Sequence, residues 1–205
     1  VFFVMNAVVT LYIFSVVPEF MFRLGFWLIS FFVYKINYKN SDEIPRFGPV
    51  VLIGNHVSFI DWFVVIAACK RPVRFVMDHK IYKNPILHVF FRLCKAIPIA
   101  SAKEDAVCKK KALESISAAL VDGDVVCIFP EGAVTRNGEM AMFRPGVLEI
   151  LETNPTPVVP FAINGLWGSY FSRASGKAMQ GMPKMKIRGR EVNVDMGKIL
   201  PAEAT

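Results

Sequence analysis

The 205-residue chain has no Cys-x-x-Cys pair among its cysteines at 69, 94, 108 and 127, and its three histidines are dispersed at 56, 79 and 88. No ligand set stands at metal-binding spacing, so no metal is expected. Cys69, Cys94, Cys108 and Cys127 sit largely among apolar neighbours and read as reduced, mostly buried thiols of a cytosolic environment. Zinc-finger, RNP and helix-turn-helix patterns are missing, which argues against a nucleic-acid partner. There is no Gly-x-Ser-x-Gly elbow to present a serine nucleophile. Internal repeats and low-complexity segments are also absent. Residues 1–17 carry no charge, and no basic stretch or small-residue cleavage site accompanies them, so they do not read as a signal peptide.

What the chain has in excess is apolar and basic. Hydrophobic residues make up 54%, 18 residues are Phe, and the formal net charge is +7. The mean hydropathy is +0.41 and the pI about 9.3. A basic, Phe-rich, apolar chain points to an anionic membrane surface. The apolar run at 1–17 is slightly short of the ~20 residues that span a bilayer. A second apolar segment at 24–34 is followed by Lys35, Lys39 and Arg46, and positive charge beside an apolar segment marks the cytoplasmic face. Residues 1–40 are therefore expected to be a helical membrane-associated segment, on the cytoplasmic face of the inner (plasma) membrane. The competing expectation is a pair of buried core helices. Because the chain opens on Val1 and ends on Pro201-Ala202-Glu203-Ala204-Thr205, an interrupted helix start, it is expected to be part of a longer protein.

Residues 42–49 are polar and rich in Pro and Gly, and the catalytic domain, 41–205, is placed from there on. Short apolar runs predict strands at 50–54, 73–77, 97–99, 125–129, 158–163, 185–188 and 192–196. Helices are predicted at 58–69, 103–121 and 145–153, with one or two short ones between 78 and 95. In the helix at 103–121, Leu113, Ile116 and Leu120 recur at helical spacing. Its lysines, 109–111, form a solvated face, with phosphate binding as the minority reading. Strands alternating with helices give an α/β domain.

The most informative stretch is Asn55-His56-Val57-Ser58-Phe59-Ile60-Asp61, between the apolar runs 50–53 and 62–68. On one continuous helix, His56 and Asp61 would lie about 140° apart and could not meet. With His56 on a turn and Asp61 on the first turn of the following helix, they can. A carboxylate on one imidazole nitrogen fixes the tautomer and stabilises the imidazolium, and the other nitrogen can then take a proton from a hydroxyl. If the substrate supplies that hydroxyl, the protein needs no nucleophile of its own. The plainer alternative is an Asp61 N-cap and a His56 satisfied by backbone.

A second constellation, Phe129-Pro130-Glu131-Gly132, follows the buried run 125–128, with Thr135, Arg136 and Asn137 just beyond it. Pro130 and Gly132 require a sharp turn. A guanidinium fork there would match phosphate oxygens, and Glu131 would orient it or bind a substrate hydroxyl.

The two stretches in this order resemble the glycerolipid acyltransferase family, the lysophosphatidic acid acyltransferase (PlsC-like) group. Met142-Phe143-Arg144-Pro145-Gly146, Val158-Val159-Pro160-Phe161-Ala162 and Ile44-Pro45 before Gly48-Pro49-Val50 resemble further segments of it, so the likeness covers about residues 40–200. Two departures are visible. Ala133-Val134 separates Pro-Glu-Gly from Thr135-Arg136. Ala100-Ser101 follows Ile97-Pro98-Ile99 where the family usually has Asp-Arg, leaving Lys103, Lys80 or Arg92 to neutralise a phosphate. The spacing of the first departure is more like acyltransferase domains fused to lysophospholipid transporters or acyl-carrier synthetases.

The resemblance implies an α/β fold with a mixed sheet flanked by helices and an N-terminal helical membrane segment. It implies O-acyl transfer from acyl-CoA or acyl-carrier protein to the free hydroxyl of a lysophospholipid, lysophosphatidate or lysophosphatidylethanolamine, without a cofactor. His56 would be the base and Asp61 its orienting carboxylate. Asn55, Ser58, Lys80, Glu131, Gly132, Arg136 and Arg144 would bind substrate. Backbone N–H groups near 55–58 or at the 131–132 turn would hold the oxyanion. A thioesterase-like hydrolase, a non-catalytic lipid-binding module of a transporter and a membrane structural segment are the rival readings.

Overall fold

The structure, a computed structural model, describes residues 2–16, 34–85, 87–174, 176 and 189–204. Its frame is a mixed seven-stranded sheet in the order β1-β7-β6-β2-β5-β3-β4. The strands are β1 (Tyr34–Lys39), β2 (Val50–Gly54), β3 (Val73–Asp78), β4 (Ile97–Ile99), β5 (Val125–Ile128), β6 (Val158–Asn164) and β7 (Arg190–Met196). β6, β2, β5, β3 and β4 run parallel, whereas β7 is antiparallel to β6 and parallel to β1.

The central strands are continuous apolar runs because both of their faces are covered. Val50 and Leu52 point into one core with Val125, Cys127, Val159 and Phe161. That core is closed by Phe63, Val64 and Val65 of α2 (Asp61–Ala68), numbered after the N-terminal α1 (Phe2–Val16). Val51, Val126 and Ile128 point to the opposite face. There they meet Ala112, Ile116 and Leu120 of α5 (Ala106–Val121) and Ile150 and Leu151 of α6 (Gly146–Thr153). The short α3 (His79–Tyr82) and α4 (His88–Leu93) connect β3 to β4.

Most predicted strands are present within a residue of their expected ends; the one at 185–188 lies outside the described residues. Helix starts differ for a local reason. α5 begins at 106 because the Asp105 side chain accepts the Cys108 N–H, which caps the helix there. α2 begins at 61 because the Asp61 carboxylate takes the N–H groups of Val57 and Ser58, holding that segment in a turn.

Residues 34–39, grouped on sequence with the N-terminal segment, form strand β1 of the main sheet, so the boundary at 40 falls after the sheet's first strand. Lys35 and Lys39, expected from the sequence to flank a membrane segment, stand in register with Glu191 and Asp195 of β7 and pair with them. Between residues 2 and 12, α1 exposes the apolar side chains Phe2, Phe3, Val4, Met5, Val8, Val9 and Tyr12. Its 15 residues extend about 22 Å, against about 30 Å of bilayer hydrocarbon. No helix among the described residues is long and apolar enough to cross a membrane.

Two chain paths diverge at the middle of the sheet. From β2 the chain passes to α2 on one face; from the adjacent β5 it passes to α6 on the other. Neighbouring parallel strands that leave in opposite directions open a crevice at their C-terminal ends, where α/β proteins place their ligands. His56 lies just beyond β2 there, and Glu131 just beyond β5.

Candidate active site

The imidazole of His56 is fixed on two sides. Nδ1 lies 2.8 Å from Oδ2 of Asp61, and the ring stacks on Phe129 at 4.4 Å between centroids and 17° between planes. Phe129 in turn meets Phe161 of β6 edge-on at 5.9 Å. Gly54 makes room for this column, because a Cβ there would lie 2.2 Å from the Phe161 ring. Asp61 is fully buried, and the same Oδ2 accepts the N–H groups of Val57 at 2.6 Å and Ser58 at 2.9 Å. Burial pushes the Asp61 carboxyl above its ordinary value, while His56 and the two backbone donors pull the other way. With Asp61 on Nδ1, the Nδ1 proton is held in place and Nε2 is left as the acceptor. The His56 side chain keeps 20% of its surface exposed. A base of this kind can accept a proton from a hydroxyl in the crevice.

The segment after β5 holds the His56 backbone as well. The His56 N–H donates to Oε1 of Glu131 at 2.7 Å, and the His56 carbonyl accepts the Thr135 N–H at 2.8 Å. Oε2 of Glu131 accepts the Ala141 N–H at 2.8 Å. Glu131 is only 4% exposed, and both of its oxygens are engaged with the chain itself. Expected on sequence as a substrate-binding residue, it straps the His56 loop to the 129–145 loop. Asn55 is bonded to the sheet: its amide nitrogen donates to the Ile163 carbonyl and its oxygen accepts the Ile163 N–H, extending the β2–β6 ladder. Ser58 is fully buried and takes part in the turn around Asp61.

The oxyanion donors expected near 55–58 and at the Glu131–Gly132 turn are also largely committed. The N–H groups of His56, Val57, Ser58 and Gly132 all donate within the protein, the last to the Phe129 carbonyl.

Among the cations of the described residues, Arg144 is the one brought onto the turn. Its N–H donates to the Pro130 carbonyl at 2.9 Å, and its guanidinium lies over Gly132, where a Cβ would stand 2.6 Å from Cζ. Gly132 has φ +69, so the backbone there suits only glycine comfortably. Arg136 is exposed on the same loop, with no acidic partner among the described residues. Lys80 is not gathered in. It follows β3, beyond β5 from β2, and pairs with Glu104. The roles of Phe161, Thr135 and Ala141 had no sequence signal, since each acts through packing or a backbone group.

Cys69 and Cys127 are buried and Cys94 and Cys108 partly so. Burial pushes the Cys127 thiol well above its usual value, which leaves it unreactive. Among the described residues, no group of three or more His, Cys, Asp or Glu side chains is placed to hold a metal ion.

A sequence profile of the acyltransferase family matches residues 35–164. The chain is 27% identical over 194 residues to the probable 1-acyl-sn-glycerol-3-phosphate acyltransferase of Mycoplasma genitalium, an overlap of 89% of this chain and 69% of that protein. It is 23% identical over 143 residues to the 1-acyl-sn-glycerol-3-phosphate acyltransferase of Borreliella burgdorferi, spanning 69% and 54%. In fold it is similar to the 1-acyl-sn-glycerophosphate acyltransferase PlsC of Thermotoga maritima. There the TM-score is 0.69 at 17% identity, over 91% of this chain and 70% of that one.

Proposed function

Because the chain belongs to the acyltransferase family, we propose that His56 and Asp61 are its acyl-transfer couple, acting on the free hydroxyl of a lysophospholipid. The protein is an O-acyltransferase of the 1-acylglycerol-3-phosphate acyltransferase kind, an enzyme of phospholipid synthesis. The observation that carries the assignment of the couple is the 2.8 Å contact between His56 Nδ1 and Asp61 Oδ2 at the mouth of the β2–β5 crevice.

In this proposal the acceptor hydroxyl gives its proton to Nε2 of His56 as its oxygen attacks the thioester carbonyl of acyl-CoA or acyl-carrier protein. The tetrahedral intermediate collapses with cleavage of the C–S bond, and the imidazolium returns the proton to the departing thiolate. No acyl-enzyme forms and no cofactor is required. Asp61 holds the tautomer and offsets the charge on the imidazolium. The guanidinium of Arg144, over the Glu131–Gly132 turn, and that of Arg136 on the same loop hold the acceptor phosphate. Lysophosphatidate and lysophosphatidylethanolamine are the acceptors proposed. The exposed apolar α1 and the excess positive charge support a monotopic association with the cytoplasmic leaflet.

The test is product analysis with a labelled acyl donor, in the presence and absence of lysolipid. Diacyl product that appears only with lysolipid supports transfer. Free fatty acid released at the same rate with or without lysolipid would make the protein a thioester hydrolase.

A further inference from the structure

The loop between β5 and α6 has a feature that acyl transfer alone does not use. Its base clamps His56, through Glu131 on the His56 N–H and Thr135 on the His56 carbonyl. Its tip is apolar and open. Met140 is 66% exposed, Met142 91% and Phe143 44%, three large apolar side chains within four residues. Ala141, in the middle of the tip, donates its N–H to Glu131, the residue that also holds His56. The tip and the catalytic base are thus one carboxylate apart.

We infer that this tip is a lipid-contacting element that enters an anionic bilayer surface and seats the His56 loop over it. Three observations select a lipid surface as the occupant. The segment has no regular secondary structure from 129 to 145, and loops of that length are uncommon in compact domains and, where they are not linkers, usually functional. Its tip is flanked by Arg136 and Arg144, neither with an acidic partner among the described residues, on a chain of net charge +7. Methionine and phenylalanine beside arginine present an apolar wedge with a cationic rim, which matches acyl chains below anionic headgroups. Exposed apolar side chains grouped this way mark a contact surface rather than scattered surface residues. Because Ala141 and His56 share Glu131, a tip held in the bilayer also holds the base at the depth where a membrane-embedded acceptor presents its hydroxyl. That last consequence rests on the acyltransferase reading; the lipid contact does not.

The experiment uses the full chain with Met142→Trp, mixed with vesicles of phosphatidylcholine and phosphatidylglycerol carrying brominated acyl chains. The parent's three tryptophans give the background. Val121→Trp is the control, an 84% exposed apolar position at the end of α5, which precedes the start of β5, whereas the loop follows that strand's other end. The expected result is bromine quenching above the parent for Met142→Trp and none above it for Val121→Trp. Quenching of Met142→Trp no greater than that of the parent or the control overturns the inference, whatever reaction the protein catalyses.

The coupling is read separately with Met140→Ser/Met142→Ser/Phe143→Ser. Acylation of lysolipid embedded in vesicles should fall about ten-fold or more, the loss of roughly 1.4 kcal/mol of binding, while acylation of a dispersed short-chain lysolipid stays at the parent rate. Equal rates on vesicles, or an equal loss on both acceptors, would remove the tip from membrane coupling.

Discussion

Oε1 of Glu131 accepts the backbone N–H of His56 at 2.7 Å, and this bond ties the buried glutamate to the His56 loop. A residue that aims the base should affect turnover, and one that grips the acceptor should affect affinity. In Glu131→Gln one of the two backbone donors, His56 or Ala141, faces an amide N–H in place of an oxygen. A misplacement of the base by about 1 Å can cost about 10²-fold in rate. The expected outcome is a kcat lower by about that factor, with the acceptor KM nearly unchanged. Steady-state kinetics in both substrates check it, and a raised acceptor KM at normal kcat would return Glu131 to substrate binding.

The cations should separate by location. Arg144→Ala and Arg136→Ala are expected to raise the acceptor KM and leave the donor KM unchanged. Arg144→Ala should have the larger effect, because that guanidinium already lies on the 131–132 turn. Lysine should rescue neither fully, since an ammonium lacks the bidentate fork. Lys80→Ala should leave both constants at parent values, because Lys80 is engaged by Glu104 beyond β3. Side-by-side KM measurements for the three variants decide this.

Gly54→Ala tests the aromatic column. The added methyl must displace the Phe161 ring, on which Phe129 and then His56 depend. Overpacking of this kind costs about 1–3 kcal/mol, so a lower Tm with reduced activity is expected. A Tm and a rate both equal to the parent's would show that the column does not position the imidazole.

Asp61 makes a prediction in pH. Its carboxyl is held above the ordinary carboxylate range chiefly by burial, so the folded state binds that proton more tightly than the unfolded chain does. The resulting stabilisation is full below the unfolded carboxylate pKa and is lost as pH rises through the higher folded value. Asp61→Asn cannot titrate. The Tm of the parent minus that of Asp61→Asn should therefore decrease as pH is raised from about 4 to about 7. Thermal melts of both proteins across that range check the sign, and a difference that grows with pH would contradict it.

Much of the sheet was legible because central runs such as Val50–Gly54 and Val125–Ile128 are covered on both faces and so are continuously apolar. β1 was not legible. Its Lys35 and Lys39 follow a long apolar segment and so looked like a membrane flank, although Tyr34, Ile36 and Tyr38 alternate with polar residues as an edge strand should. The His56–Asp61 couple could be foreseen because both partners lie in one short stretch.

The places of Glu131 and Asn55 could not be foreseen. Their side chains bond backbone groups 75 and 108 residues away, and only the folded sheet brings those groups to hand. Arg144 was legible as a cation near the second motif. That it outranks Arg136 at the turn depends on how the loop closes on Pro130.

The most direct test of the catalytic assignment is acyl transfer to lysophosphatidate by His56→Ala, assayed with acyl-CoA and with acyl-carrier protein, in a preparation whose circular dichroism and Tm match the parent's. With the base gone and the acceptor still bound, the rate should fall by about 10⁴-fold while the acceptor KM holds. Turnover close to the parent's in a folded His56→Ala protein would contradict the assignment of His56 as the base.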